Sequence, residues 1–569
     1  MKFKDFAEYL ERLEKISSRL EITRVLAELI EKMEVKEIDK GIYLTLGQLG
    51  PDFDNKEFNM AVKMVLRSVA DGSGLSAEKV EKIYKTKGDL GLLVEGLEFK
   101  NEKRANYSVG EVYEKLKLIA DEGGTGSQEK KVFGLTELFL ASTKIERKFI
   151  ARMVLGKLRL GFSEKTIFDA ISQMTSGGKT LRKELDSVFQ IYPDPGYISM
   201  VVREKGMVGL KNIKVKTGVP IVPALCQRLN NYQEIVEKMS DVAVEKKYDG
   251  TRVQIHFNKS NNEVRTYTRN LEESSPMFPE LLSMKDWIKA DEVILDCEAV
   301  GYDRKTNKVL PFQLTITRKR KHRVEETSKE IPLRFFVFDI LGLNGKSLIE
   351  QPYFKRREIL DKVIKRNDTL VSDEYFRTSD PSEVQKMHDK FLSEGFEGAV
   401  IKMWDGEYLP GRQGWNWVKI KEAEGVSGKL ADTFDLVVLG YYFGRGKRAG
   451  FGIGAFLVGL QKEGKWVSIA KIGTGLTDEE FKELKKSLDE KKLKNKPENY
   501  SVSGSLIPDV WVEPAIVVEV AADEITKSPN HAAGVALRFP RLIKFRMDKG
   551  LKGATTWEEF EQIAKLSKV

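Results

Sequence analysis

Apolar residues recur at helical spacing through roughly the first 220 positions and at strand spacing through most of the remaining chain. Residues 6–13 (Phe6-Ala7-Glu8-Tyr9-Leu10-Glu11-Arg12-Leu13) carry an apolar face every three or four positions, and residues 145–155 repeat it, which predicts amphipathic helices. The glycine-rich stretch 121–127 has no such face and reads as a loop between helices. Pro220 and Pro223 break any helix, so a second domain is expected to begin near residue 223.

Strand patterns then take over. Residues 252–257 and 267–270 form a strand pair, residues 293–300 an apolar strand carrying Glu298, and residues 335–341 a buried strand carrying Phe338. Residues 394–402 come next, and in residues 417–421 alternation places Lys419 and Lys421 on one face. Beyond Lys421 the runs shorten to residues 435–440, 451–460, 466–472 and 515–520, joined by glycine-rich turns. They predict a small barrel, whose type periodicity leaves open.

A chain of 569 residues exceeds the roughly 250 to 300 residues at which one core stops growing, so three domains are expected. The net charge of +9, with 86 acidic residues interspersed, suits a polyanionic partner without identifying it. Cys226 and Cys297 are the two cysteines, too few for a disulfide framework or a four-cysteine zinc site; a reducing compartment is expected. No apolar run approaches the roughly 20 residues that span a bilayer, and the polar start Met1-Lys2-Phe3-Lys4-Asp5 is no secretory signal. There is no repeat at solenoid periods.

The candidate chemistry centres on Glu245-Lys246-Lys247-Tyr248-Asp249-Gly250-Thr251-Arg252. A lysine attacks phosphorus only as the neutral amine, so burial against a nucleotide and nearby cations has to disfavour its charged form. Asp249-Gly250 reads as a turn presenting Lys247 at a strand end, and Arg252 suits a phosphate or ribose. Each feature has a plainer reading. The motif could be a charged hairpin, Glu298 a strand-end carboxylate, Glu397-Gly398 a turn, and Lys419 with Lys421 a solvated edge; Phe338, taken alone, reads as core. Gly177-Gly178-Lys179-Thr180 lacks the first glycine of a phosphate loop, since Gln173 stands there; a plain interhelical turn and a phosphate-contacting helix junction are equally good readings.

Taken in order, these segments resemble the nucleotidyltransferase motifs of ATP-dependent DNA ligases. The tail Leu537-Arg538-Phe539-Pro540-Arg541 through Arg546-Met547-Asp548-Lys549 resembles the last motif, and Leu155-Gly156-Lys157-Leu158-Arg159-Leu160-Gly161-Phe162 resembles the DNA-binding domain of the archaeal and eukaryotic replicative members. The resemblance implies an all-α DNA-binding domain over 1–222, an α+β nucleotidyltransferase domain over 223–425 and an all-β OB-fold barrel over 426–569. It implies Lys247 as the carrier of AMP, Glu245 and Phe338 on adenine, and Arg252 and Arg269 on ribose or phosphates. Glu298 would face the ribose, and Glu298 with Glu397 would bind Mg2+. Lys419 and Lys421 would grip the α-phosphate, Arg412 would stand ahead of them, and Arg538, Arg546, Asp548 and Lys549 would orient pyrophosphate. NAD-dependent ligases share Lys-x-Asp-Gly but are similar to one another in a four-cysteine zinc finger absent here, so ATP is the expected donor.

Nicked duplex DNA is the implied partner, the protein acting as a monomer, cytoplasmic in an archaeon or nuclear in a eukaryote. A sliding clamp is a further implied partner, although no clamp-binding peptide stands out. The basic run 318–323 (Arg-Lys-Arg-Lys-His-Arg) and Arg445, Lys447 and Arg448 are candidate phosphate-backbone contacts or solvated loops. An RNA ligase or a capping-type guanylyltransferase would use the same lysyl-nucleotide strategy, but the helical N-terminal region argues against both. A non-catalytic nick-binding scaffold has the intact motifs against it.

Overall fold

Helices occupy residues 1–210 because their apolar positions share one stripe. In Phe3–Glu14 the buried residues are Phe3, Phe6, Ala7, Tyr9, Leu10 and Leu13, and Lys144–Val154, capped reciprocally by Thr143 and Glu146, is buried nearly all round. Arg147, Lys148 and Arg152 of that helix are buried in pairs with Glu102 (2.6 Å), Glu14 (2.8 Å) and Asp89 (3.1 Å). The computed structural model describes residues 1–569 except 157, 230, 304–305, 307, 311–330, 422–432, 445, 529–530, 547 and 567–569. The basic run 318–323 and Arg445 therefore lie outside the described residues, as does the side chain of Lys447.

The expected loop falls between Val109–Asp121 and Ser127–Leu140. Gly177, at φ 70°, ends the helix Glu164–Ser176, and Lys179 pairs with Asp169 at 3.1 Å. The glycine pair thus serves an interhelical turn whose lysine already has a carboxylate partner.

The chain clusters into two compact units, residues 1–421 and 422–569. Within the first, the strap at residues 217–221 is pinned to the strand Thr251–Asn258. Ile221 N donates to Gln254 Oε1 (2.7 Å), Gln254 Nε2 donates back to Ile221 O (3.0 Å), and Gly218 N donates to His256 Nδ1 (3.1 Å). Burial pushes the His256 imidazole down to about 3, so it stays neutral and Nδ1 remains an acceptor.

Among the described residues, the middle of the chain forms two sheets. The five-stranded sheet runs Gln227–Arg228, Trp417–Lys421, Gly398–Met403, Val242–Lys246, Tyr375–Thr378. The six-stranded sheet runs Glu263–Thr268, Thr251–Asn258, Glu292–Gly301, Leu333–Leu343, Lys346–Ser347, with Leu370–Ser372 added beside Leu333–Leu343. One apolar face of the first sheet packs under the helices Tyr232–Met239 and Pro381–Ser393. A separate cluster containing Ile294, Leu341, Tyr408 and Trp417 joins the two sheets.

The second unit is built on a twisted, bulged sheet in which Phe434–Tyr442 pairs with Ala455–Lys462, Val510–Val512 and Val517–Ala521. Its description as all-β is corrected by two helices, Asp478–Asp489 and Trp557–Leu566. The first is fixed at its start by a capping box from Thr477 and Glu480. The run 451–460 also begins later than expected, because Gly446–Phe451 is a 3-10 turn and the strand starts at Ala455.

Arg356 and Asp339 form a fully buried bidentate pair at 2.7 and 3.0 Å. Removing one partner leaves an uncompensated charge, so Arg356→Ala is expected to cost about 3–5 kcal/mol. A urea titration that finds the variant as stable as the parent contradicts this.

Candidate active site

Lys247 comes directly after the strand Val242–Lys246, and its backbone extends the pairing with the next strand. Lys247 N donates to Gly398 O and Glu397 N donates to Lys247 O, both at 3.0 Å. This pair of hydrogen bonds brings the side chains together, and Nζ makes a short ion pair with Glu397 Oε2. The two side chains are 20% and 16% exposed, so a solute can reach them. Gly398 sits at φ 138°, a conformation side chains rarely adopt. A Cβ on Gly250 would lie 2.6 Å from Ala299 O and 2.9 Å from Glu298 Cγ, so the turn after Lys247 can lie against the strand of Glu298 only as glycine.

The facing sheet contributes the row Arg252, Glu298, Phe336 in register. Arg269 lies in the turn one position past the Val253–Thr268 pair and is exposed. Arg252 is turned onto Asp296, with bonds of 3.0 and 2.7 Å, and also donates to Ala224 O at 2.6 Å and Tyr408 Oη at 3.2 Å. Burial opposes its charge, but Asp296 outweighs that and holds the guanidinium firmly protonated. Burial pushes the Glu298 carboxyl up to about 7, against the pull of Lys247 and Arg252. Phe338 is half-buried: its ring stands edge-on to Trp417 at 5.8 Å, with the Arg252 guanidinium 5.5 Å from its centroid.

Glu245, Val400 and Lys419 lie in register across three strands. Glu245 is covered by Lys402, at 2.7 Å from Oε2, and by the Tyr353 hydroxyl, which donates to Oε1. Lys419 is half-buried beside Arg228 in the next strand. Lys421 ends the strand, and its side chain lies outside the described residues. Arg412 is exposed and donates to Cys226 O at 3.1 Å, next to the Ala224 carbonyl that Arg252 holds. Burial raises the Cys226 thiol, while Arg252, Lys402, Lys419 and Lys247 all pull it down. Four cations thus converge on this wall.

A nucleophilic amine, two carboxylates and convergent cations between two sheets suit transfer of a nucleotide, and the comparisons agree. The family described as ATP dependent DNA ligase domain matches residues 223–421, DNA ligase N terminus matches 2–172, and ATP dependent DNA ligase C terminal region matches 449–549. A probable DNA ligase of Dictyoglomus turgidum is 41% identical, covering 98% of this chain and 97% of its own length. The chain belongs to the ATP-dependent DNA ligase family. The DNA ligase of Saccharolobus solfataricus is 34% identical over 98% of this chain and 96% of its own. The solved structure of Pmar-Lig_PreS3, 18% identical with a TM-score of 0.56, covers 95% of this chain and 99% of that one, and shows the same fold.

In this ligase-family chain the four remaining sequence candidates lie in the second unit. Arg546 bonds Asp548 (2.9 and 2.7 Å) and Asp435 (3.1 and 3.2 Å), and Lys549 makes a short bond to the same Asp435. Arg538 ends the strand Val535–Arg538, with its guanidinium 5.2 Å from the Phe539 ring. Sequence reasoning missed Lys402, Asp296, Tyr353 and the Tyr248–Asp373 hydrogen bond (2.7 Å). A cation two positions past Val400 in an otherwise apolar strand signalled Lys402; the others meet through contacts more than forty residues apart in sequence. Among the described residues no group of three or more His, Cys, Asp or Glu is placed to hold a metal, and no helix is long and apolar enough to cross a membrane.

The Glu298 shift predicts a pH signature. A carboxyl raised from its ordinary 4.5 to about 7 contributes stability that is full below the lower value and lost as pH rises through the upper one. Glu298→Gln should therefore flatten the decline in unfolding free energy between about pH 5 and about pH 8. Parallel curves for parent and variant would exclude the shift.

Proposed function

We propose that this chain seals nicks in duplex DNA, with ATP as AMP donor and Lys247 as carrier. The observation that supports it best is the strand-paired contact that sets Lys247 Nζ on Glu397, with Glu298 on the neighbouring sheet, in a member of the ATP-dependent DNA ligase family. Helices at residues 1–222 would grip DNA, residues 223–425 would carry out nucleotidyl transfer, and residues 426–569 would form an OB-fold barrel. In the first step the Lys247 amine, its proton released to solvent, forms a bond to the α-phosphorus of ATP as the bond to pyrophosphate breaks. The 5′-phosphate at the nick then takes the AMP and frees the lysine. The 3′-hydroxyl attacks that phosphorus, forming the phosphodiester and expelling AMP.

Lys419 and Lys421 would neutralise the α-phosphate, Arg252, Arg269 and Arg412 would border the ribose and phosphates, and Arg538, Arg546, Asp548 and Lys549 would orient pyrophosphate. Glu245 and Phe338 would hold adenine. Two carboxylates beside a phosphate site fit Mg2+, which binds through one or two carboxylates plus substrate oxygens and water. Glu298 and Glu397 would hold it, and it would supply charge neutralisation in the transition state.

Incubation with α-labelled ATP, denaturing electrophoresis and a chase with nicked duplex test the reading. The parent should acquire label that the nick discharges, and Lys247→Ala should acquire none while keeping its circular dichroism. Label on that variant would move the nucleophile elsewhere, and efficient use of GTP with RNA ends would favour a capping or RNA-joining enzyme. Lys419→Ala should slow label transfer by about 10²-fold, the scale for one lost transition-state contact, while DNA affinity measured by fluorescence anisotropy changes far less. Equal losses in both would make Lys419 a general DNA contact.

A further inference from the structure

Lys402 is fully buried in the strand Gly398–Met403, and none of the proposed chemical steps uses it. Its Nζ lies 2.7 Å from Glu245 Oε2 and donates to the Phe338 carbonyl at 3.1 Å. The charge rests against the rings of Trp417, Phe338 and Tyr353, at 4.3, 4.5 and 5.1 Å from their centroids. The Tyr353 hydroxyl, from the helix Tyr353–Val363, occupies the other Glu245 oxygen. An apolar pair filling this space would generally be no less stable than a buried ion pair. Stability alone therefore does not account for the arrangement, whereas holding the Glu245 carboxylate aimed in one direction does.

We propose that Lys402 and Tyr353 are positioning residues that make Glu245 a selective acceptor for the 6-amino group of a purine nucleotide. The proposal rests on the reading of Glu245 as a contact to the adenine base. An ionised carboxylate only accepts hydrogen bonds, and an oxygen with one partner retains a second lone pair. A 6-amino group donates to it. A 6-oxo purine turns a carbonyl toward it, leaving two acceptors face to face in a buried site. Without Lys402 the Glu245 carboxylate loses the partner that fixes its direction, the hydrogen bond to the 6-amino group is no longer preformed, and selection is lost.

The test measures self-labelling of the full-length protein with ATP and with inosine triphosphate, which differ at the 6-position, in the parent, Lys402→Met and Tyr353→Phe. Circular dichroism and thermal melting establish which variants are folded. The parent should prefer ATP by about 10- to 100-fold in kcat/KM, the scale of one hydrogen bond to a charged group. In Lys402→Met the preference should shrink to within about threefold, chiefly through a raised KM for ATP, with Tyr353→Phe intermediate. A folded Lys402→Met that keeps the parental ratio overturns the proposal; if that variant does not fold, an unchanged ratio in Tyr353→Phe does so. A parent protein that no nucleotide labels overturns the proposed function instead, so the two failures are distinguishable.

Discussion

The pairing of Val242–Lys246 with Gly398–Met403 is the constraint on which the site depends. Five successive pairs, from Lys246 opposite Ala399 to Val242 opposite Met403, set the register, and the bonds between Lys247 and residues 397–398 extend it by one step. A slip of one residue would turn every side chain to the other face. Lys247 would then leave Glu397, Glu245 would leave the row of Val400 and Lys419, and Lys402 would point toward helices instead of the facing sheet. One register thus places the amine, the acid beside it and the row of Glu245, Val400 and Lys419 together.

The interior between the sheets is unusually charged. Arg252 with Asp296, Glu245 with Lys402 and Arg356 with Asp339 are all covered pairs, and Tyr353, Tyr408 and Tyr248 supply hydroxyls to the carboxylates Glu245, Asp296 and Asp373. Such pairs contribute little net stability, but they hold each charge in one orientation. Phe336 stacks on Tyr248 at 4.3 Å, and burial together with the charge of Glu245 pushes Asp373 up to about 7. The residue after Lys247 is thereby tied to a distant carboxylate, which stiffens the turn that carries the amine. A preorganised polar site of this kind needs little rearrangement when charge moves during phosphoryl transfer.

The second unit keeps its charges differently. Arg546 and Lys549 share Asp435, and Arg546 also reaches Glu519 and Asp548. Arg546 and Asp548 hold one another in the ionised form through their direct hydrogen bonds. The motif at the end of the chain is therefore an ordered charged cluster on the sheet formed with Phe434–Tyr442.

Local pattern alone was enough for much of this protein. Helical periodicity over the first two hundred residues, the loop before Ser127, the strands around residues 251–258, 292–301, 333–343 and 417–421, and the Lys-x-Asp-Gly-x-Arg segment were all legible because each depends on neighbours a few positions away. Lys419 was expected on the same grounds, since alternation along one strand decides its face. The two helices of the second unit were missed although the first carries both a capping box and apolar residues at helical spacing, Phe481, Leu484 and Leu488, because they sit among strands in a segment rich in charged residues. Tertiary structure alone decided that Arg252 turns to Asp296, that Lys402 and Tyr353 enclose Glu245, and that Asp373 anchors Tyr248. Those contacts join segments 44 to 157 residues apart, and which partner a buried charge finds depends on which distant strands and helices are brought side by side, a property that no local period encodes.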